Sequence, residues 1–190
     1  MINEAYMLLN NLHMVCINNA FINQWNGDVY LIGHSLGGAL AIALADRCSL
    51  VKKLTTICSI FDFDIYTERQ KEKWIQNKTK EFIDSTTEQN IILDVEFLTD
   101  RLTYAGDKSI LSMVKRLSIP YYIIHTEADA TVNPKAAELL AEATTETTLY
   151  KKEIVPKGNH LLNCVHPFTA SNPVLEHIIK NVLIFSKTTT

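Results

Sequence analysis

One short segment constrains the fold of this chain more than any other part of its sequence. Residues 33–38 read Gly-His-Ser-Leu-Gly-Gly and contain the pattern Gly-x-Ser-x-Gly. The apolar run at 29–32 predicts a strand buried on both faces, and residues 36–47, rich in Ala and Leu, predict a central helix. The glycines two positions before and after the serine allow the close backbone approach of a tight turn. Ser35 is therefore a candidate nucleophile at the C-terminal edge of a sheet.

The rest of the chain alternates between helical and strand-like patterns. This alternation predicts an α/β fold with a mostly parallel sheet and helices on its faces. Short apolar runs indicate the strands, and helical spacing of apolar residues or an Asn-Pro start indicates the helices. Strands are expected at 29–32, 54–60, 121–124 and 148–155, and helices at 3–24, 36–47, 134–143 and from Pro173 onward.

Between residues 62 and 118 the pattern changes, and we expect an inserted cap of helical character there. Charged helical segments cover roughly 67–83, with Trp74 and Phe82 among their apolar members. Two interpretations stay open for Trp74, Phe82 and Tyr104. They form the core of the cap, which is the more common role of such side chains, or they line an acyl pocket.

The segment at 33–38, with the apolar strand before it and the Ala-rich helix after it, resembles the α/β-hydrolase superfamily, and most closely its serine peptidase-like and carboxylesterase-like branches. The resemblance implies an acid after the next-but-one strand, in a pattern like His-Gly-x-x-Asp. Residues 125–129 read His-Thr-Glu-Ala-Asp, with threonine in place of the usual glycine. It also implies a histidine after the last strand, and residues 158–160 read Gly-Asn-His. The implied acid and base are Asp129 and His160.

These residue types fit one chemistry. A serine hydroxyl is a weak nucleophile that needs a base to take its proton and an acid to orient that base. Ser35, Asp129 and His160 occur in the chain order expected for this fold, and each follows a predicted strand. Leu36 is expected to donate its backbone N–H to an oxyanion, and His34 to pack nearby or touch substrate.

Other assignments stay open at this point. Glu127 is a substitute for the acid, in which case Asp129 only forms a turn. His166 competes as the base, although its neighbours Pro167 and Phe168 favour a packed turn. His125 ends an apolar strand and is interpreted as a core histidine.

Composition excludes several other classes of function. A net charge of −3 and a pI near 6.1 argue against a nucleic-acid surface or a basic membrane patch. No apolar run is long enough to span a membrane. The four cysteines form no Cys-x-x-Cys pair and the histidines lack metal-ligand spacing, so neither a metal nor another cofactor is predicted. Apolar surroundings of the cysteines favour reduced, buried packing residues and a cytoplasmic location.

The resemblance also implies segments before those seen here. Family members normally carry about four strands before the helix that leads to the nucleophile, and a loop after the third strand supplies a second oxyanion donor. Residues 3–24 already correspond to that helix, so the single domain at 1–190 is expected to be truncated relative to the family. An unpaired side of the strand at 29–32 predicts self-association or a complementing N-terminal segment. Loss of one oxyanion donor costs about 10²–10³ in rate, which predicts impaired activity.

The resulting hypothesis is a serine hydrolase that cleaves a small carboxylic ester, or an amide or peptide, through an acyl-enzyme intermediate. The alternative is a non-catalytic interaction module or an inactive fragment with the same fold. The expected partner is a small-molecule ester or a peptide, and neither nucleic acid nor a membrane is expected.

Overall fold

The computed structural model describes residues 28–83, 88–165 and 167–188. The helix expected at 3–24 and the competing base His166 lie outside these ranges. In chain order the elements are β1 (Val29–His34), α1 (Leu36–Ala45), β2 (Val51–Ile57), α2 (Glu68–Asn77), β3 (Thr79–Ile83), β4 (Asn90–Asp94), α3 (Val95–Leu102), a 3₁₀ turn (Gly106–Lys108), α4 (Ile110–Arg116), β5 (Tyr121–Thr126), α5 (Lys135–Ala143), β6 (Leu149–Val155) and α6 (Pro173–Ser186).

Among the described residues the main sheet has four strands in the order β1-β2-β5-β6, and all neighbouring pairs are parallel. Every residue of β5 is buried, and its side chains alternate between two hydrophobic clusters. Tyr121 and Ile123 pack with residues of α1, α4 and α5, whereas Tyr122 and Ile124 pack with residues of α6. This arrangement confirms the predicted α/β fold, in which a parallel sheet is covered by helices on both faces.

Strand β1 lies at one edge of the sheet formed by the described residues. Within the described ranges it pairs with β2 alone, and the side chain of Ile32 is 54% exposed. The prediction that residues 29–32 are buried on both faces is therefore wrong at Ile32. Self-association and a complementing N-terminal segment stay predictions.

The cap differs from its predicted helical character. Helix α2 ends at Asn77 because Lys78 adopts a left-handed conformation with a φ of 63°, which turns the chain back. The following residues form β3, which pairs with β4 in an antiparallel hairpin. The expected helical segment at 67–83 is thus wrong from Thr79 onward, and Ile83 is 70% exposed on the hairpin.

The cap has its own small core around Trp74, Leu93 and Leu98. Helix α4 lies inside the predicted limits of the insertion, 62–118, but its residues Met113 and Val114 belong to the main core. The domain limits stay a prediction. None of the helices in the described part of the chain has the length and apolar content needed to cross a membrane.

Candidate active site

The turn between β1 and α1 holds Ser35 in an unusual backbone conformation. Ser35 has a φ of 55° and a ψ of −125°, a combination that residues other than glycine rarely adopt. Its N–H donates to the carbonyl of Ile57 at 2.9 Å, which ties the turn to the end of β2. A positive φ at such a residue costs about 1–3 kcal/mol and persists where the surrounding structure imposes it. The turn therefore projects the Ser35 side chain beyond the C-terminal ends of the parallel strands.

Close backbone packing explains one of the two flanking glycines and corrects the interpretation of the other. A Cβ atom at Gly33 would lie 2.2 Å from the carbonyl oxygen of Gly37. A Cβ atom at Gly37 would meet nothing within 4 Å. Only the backbone of Gly37 takes part in the contact, and a larger side chain could be placed there without a clash.

This difference predicts opposite outcomes for two substitutions. We expect Gly33→Ala to lower the free energy of unfolding by about 1–3 kcal/mol, because a backbone carbonyl must shift to admit the new methyl group. Gly37→Ala is the matched control and should leave stability unchanged or raise it by up to about 1 kcal/mol, since alanine favours the helix. Chemical denaturation of both variants measures the two values. Equal losses would contradict the packing described here.

The structure brings the three predicted residues together. The Nε2 atom of His160 lies 3.0 Å from the Oγ atom of Ser35, and its Nδ1 atom lies 2.8 Å from Oδ2 of Asp129. The side chain of Asp129 is fully buried and that of His160 is largely buried. With the proton on Nδ1 donated to the carboxylate, Nε2 accepts a hydrogen bond from the Ser35 hydroxyl.

Asp129 is held as a carboxylate. Its Oδ1 atom accepts hydrogen bonds from the backbone N–H groups of Thr131 at 2.9 Å and Val132 at 2.8 Å. Burial alone would raise the pKa of Asp129, but the hydrogen bonds from His160, Val132 and Thr131 outweigh it and hold the pKa below its usual value. The Asp129 carboxyl therefore stays ionised at neutral pH and favours the His160 tautomer that carries its proton on Nδ1.

A second histidine also reaches Asp129. Nε2 of His125 lies 3.0 Å from the carbonyl oxygen of Val132 and 3.2 Å from Oδ2 of Asp129. Burial lowers the pKa of His125, so the ring is neutral and donates its Nε2 proton to these oxygens. The interpretation of His125 as a core histidine omitted its contacts with the loop that carries Asp129, because these contacts depend on how that loop folds back.

Thr126 stands where the α/β-hydrolase pattern that the sequence resembles usually has glycine, and it also lies at the site. Its Oγ1 atom donates to the carbonyl oxygen of Asn159 at 3.0 Å, next to His160 in the chain. The same hydroxyl lies 3.3 Å from the sulfur of Cys58. This threonine thus ties the end of β5, just before Asp129, to the loop that carries His160.

The remaining candidates occupy separate places. Leu36 is the first residue of α1, so its N–H is one of those that a helix leaves without an intrahelical partner. Nε2 of His34 lies 2.8 Å from the carbonyl oxygen of His160, and the two rings are 4.8 Å apart. Glu127 is exposed, and its carboxylate accepts the backbone N–H of Lys157 at 3.2 Å. The carboxylate that contacts His160 is that of Asp129.

Two sets of potential metal ligands overlap this site among the described residues. They are His34 with Cys58 and His160, and Cys58 with His125 and Asp129, with ligand atoms within 4.8 Å of one another in each set. Burial raises the pKa of the shared Cys58 thiol to about 11, so in the absence of a metal the thiol stays protonated at neutral pH. The absence of a metal stays a prediction.

The cysteines were predicted to be buried packing residues, and those in the described part of the chain differ in burial. Cys48, Cys58 and Cys164 are all free thiols, but only Cys58 is fully buried, while the other two are partly exposed. Cys16 lies outside the described residues.

The aromatic residues of the cap have different roles. Trp74 is buried in the core of the cap, and Phe82 is 39% exposed on β3. Tyr104 instead lines a small cavity of about 30 Å³, whose lining also includes Leu36. The acyl-pocket interpretation stays a prediction.

The chain was compared with protein-family models, with curated proteins and with solved structures. A scan against protein-family models found no match, and a search of curated proteins found none either. Solved structures do match. The esterase domain from a Rhodothermus marinus protein is 21% identical with a TM-score of 0.54, over 82% of this chain and 61% of that one. Est1E from Butyrivibrio proteoclasticus is 16% identical with a TM-score of 0.67, over 95% and 69%. The α/β hydrolase GrgF from Penicillium sp. sh18 is 14% identical with a TM-score of 0.72, over 96% and 71%.

The chain has the α/β-hydrolase fold. It spans 61% of the length of the Rhodothermus marinus domain, which is less than two thirds. In an α/β-hydrolase fold the nucleophile follows a strand and opens a helix, and the acid and base follow later strands in that order. Ser35, Asp129 and His160 occupy those positions, after β1, β5 and β6.

Proposed function

We propose that this chain is a serine hydrolase that cleaves a small carboxylic ester through an acyl-enzyme intermediate. The observation that supports the proposal is the continuous chain of contacts from Ser35 Oγ to His160 Nε2, at 3.0 Å, and from His160 Nδ1 to Asp129 Oδ2, at 2.8 Å. The similar structures, which include an esterase domain, are consistent with this class of reaction.

In the first half of the reaction, Nε2 of His160 takes the proton of the Ser35 hydroxyl as Oγ attacks the ester carbonyl carbon. The negative charge that develops on the carbonyl oxygen is stabilised by the N–H of Leu36 at the positive end of α1. The imidazolium then gives its proton to the departing alcohol oxygen as the carbon–oxygen bond breaks. Ser35 is left as an acyl ester.

Water completes the cycle by the same route. His160 takes a proton from a water molecule, the hydroxide oxygen attacks the acyl carbon, and the proton returns to Ser35 as the acid leaves. Throughout, the ionised Asp129 keeps the proton on Nδ1 of His160 and stabilises the transient imidazolium. Cleavage of amides or peptides would follow the same steps with an amine as the leaving group.

Labelling with a fluorophosphonate tests the nucleophile. The reagent should modify Ser35 and no other serine, because the His160 contact activates this hydroxyl. Peptide mapping by mass spectrometry locates the adduct. Ser35→Ala should abolish labelling, and Ser118→Ala, which removes an exposed hydroxyl, should not change it. Labelling that maps elsewhere or persists in Ser35→Ala would contradict the proposal, and a folded protein with no labelling would favour a non-catalytic module.

A further inference from the structure

A buried histidine contacts the acid of the proposed triad, and the proposed chemistry does not use it. His125 lies near the end of β5 and is only 1% exposed. Its Nε2 atom lies 3.0 Å from the carbonyl oxygen of Val132 and 3.2 Å from Oδ2 of Asp129. Both contacts reach the turn that carries the Asp129 carboxylate, so the ring lies where it can set the direction of that carboxylate.

The two oxygens determine which nitrogen of His125 carries the proton. A carbonyl oxygen and an ionised carboxylate oxygen only accept hydrogen bonds, so the nitrogen that faces both of them must be protonated. Burial lowers the pKa of His125, which keeps the ring neutral at neutral pH. His125 is therefore a neutral donor whose Nε2 proton is shared between Val132 and Asp129.

Hydrogen bonds inside the turn hold one oxygen of the acid and leave the other to different partners. Oδ1 of Asp129 accepts from the N–H groups of Thr131 at 2.9 Å and Val132 at 2.8 Å. Oδ2 faces Nδ1 of His160, at 2.8 Å, and Nε2 of His125. Because His125 also binds the carbonyl oxygen of Val132, it ties the turn to the buried strand β5 and contacts Oδ2 with the same proton.

Loss of this donor should change the geometry at His160. Buried acceptors that lose a donor are costly, so the turn and the carboxylate would move to recover other contacts. Such a movement lengthens the contact between Oδ2 of Asp129 and Nδ1 of His160. That contact keeps the proton on Nδ1, which leaves Nε2 able to take the proton of Ser35. A group that fixes Oδ2 therefore affects the reaction without contact with the substrate.

We propose that His125 is a positioning residue, which aligns the Asp129 carboxylate with Nδ1 of His160 by donating its Nε2 proton to Asp129 and to the carbonyl oxygen of Val132. This inference rests on the proposed function, since it assigns a further residue to the same site. The competing interpretation is a core histidine that only fills space beneath the turn. The two interpretations differ in what a substitute side chain must supply, which is a donor in the first and only volume in the second.

Three substitutions of His125 separate the donor from the volume. His125→Leu removes the donor and keeps much of the bulk, and His125→Asn keeps an amide that is too short to reach the two oxygens. His125→Gln places its amide N–H groups near the position of the imidazole Nε2. With a chromogenic short-chain ester, we expect the Leu and Asn variants to lose about 10- to 100-fold in kcat. KM should change by less than about threefold, and His125→Gln should keep kcat within about fivefold of wild type.

Ile123→Val is the matched control for stability. Ile123 is two residues before His125 on the same face of β5 and is buried in the main core. Removal of one methyl group there should lower the melting temperature but change kcat by less than about twofold. The control measures how much of a loss in kcat comes from a weakened core alone.

The tautomer of His160 provides a readout that does not require activity. At mildly alkaline pH, where imidazoles are neutral, ¹⁵N NMR of histidine-labelled protein distinguishes a proton on Nδ1 from one on Nε2. Comparison with His160→Ala assigns the resonances of His160. Wild type, His125→Gln and Ile123→Val should carry the proton on Nδ1. In His125→Leu and His125→Asn we expect a mixture of the two tautomers.

Each result has a defined consequence. An equal loss of kcat in all three His125 variants, with His160 still protonated on Nδ1, would overturn the proposal in favour of a core histidine. Normal kcat and an unchanged tautomer in His125→Leu or His125→Asn would also overturn it, while leaving the hydrolase intact. If wild type hydrolyses no ester but the tautomer changes in these two variants and not in His125→Gln, the proposed function fails and the positioning role stands.

Discussion

Replacement of His160 with alanine is expected to lower kcat for hydrolysis of a small ester by about 10⁴- to 10⁶-fold. His160 is the group within 3.0 Å of the Ser35 hydroxyl, so its loss leaves the nucleophile protonated and the leaving group without a proton donor. Steady-state kinetics with a chromogenic short-chain ester measures the change, and circular dichroism checks that the variant is folded.

A double variant makes this prediction sharper. Residues that act as one unit lose activity non-additively, so Ser35→Ala combined with His160→Ala should be no slower than either single variant by more than about tenfold. His177→Ala is the control, since His177 lies on α6 and contacts Glu153 instead of the site. Losses that multiply in the double variant, or an equal loss in His177→Ala, would show that Ser35 and His160 do not form a catalytic unit.

The turn at Ser35 could be predicted from the sequence because its constraints are local. A strand, a tight turn and an apolar helix follow one another between Val29 and Ala45, and the contact between Gly33 and Gly37 spans only a few residues. The positions of Asp129 and His160 needed one further assumption, that parallel strands end at a common edge. The pairing of β2 with β5 and of β5 with β6 satisfies this assumption.

Features that depend on tertiary contacts could not be predicted in the same way. The helix expected to continue to Ile83 ends early because Lys78 adopts a left-handed conformation and the next five residues find a partner strand in β4. Periodicity does not report which distant segment a short run will pair with. The burial of Arg101 could not be predicted either. Its position on a charged helix is typical of a solvated residue, and only the packing of Phe63, Tyr66 and Phe97 around it shows that it is buried.

The second large effect on kcat is expected from a substitution of Asp129. Asp129→Asn should lower kcat by about 10⁴-fold while the variant stays folded. The Asn oxygen can still accept from the backbone of Thr131 and Val132, which keeps the loop in place. Its NH₂ group, however, then faces Nδ1 of His160 in place of Oδ2, and two donors cannot form a hydrogen bond. The imidazole proton therefore moves from Nδ1 to Nε2. A protonated Nε2 can no longer accept the proton of Ser35.

Glu127→Gln provides the matched control for this change, because it neutralises the other carboxylate of the same loop. Glu127 is exposed and contacts the backbone of Lys157, so its substitution should change kcat by less than about twofold. Thermal melting of both variants excludes unfolding as the cause of any loss. If Glu127→Gln lowered kcat strongly while Asp129→Asn left it nearly normal, the role of the acid would belong to Glu127. Since Asp129 also accepts from His125, the Asn variant tests the whole buried arrangement around the acid, and retention of normal kcat would remove the physical basis for a triad at this site.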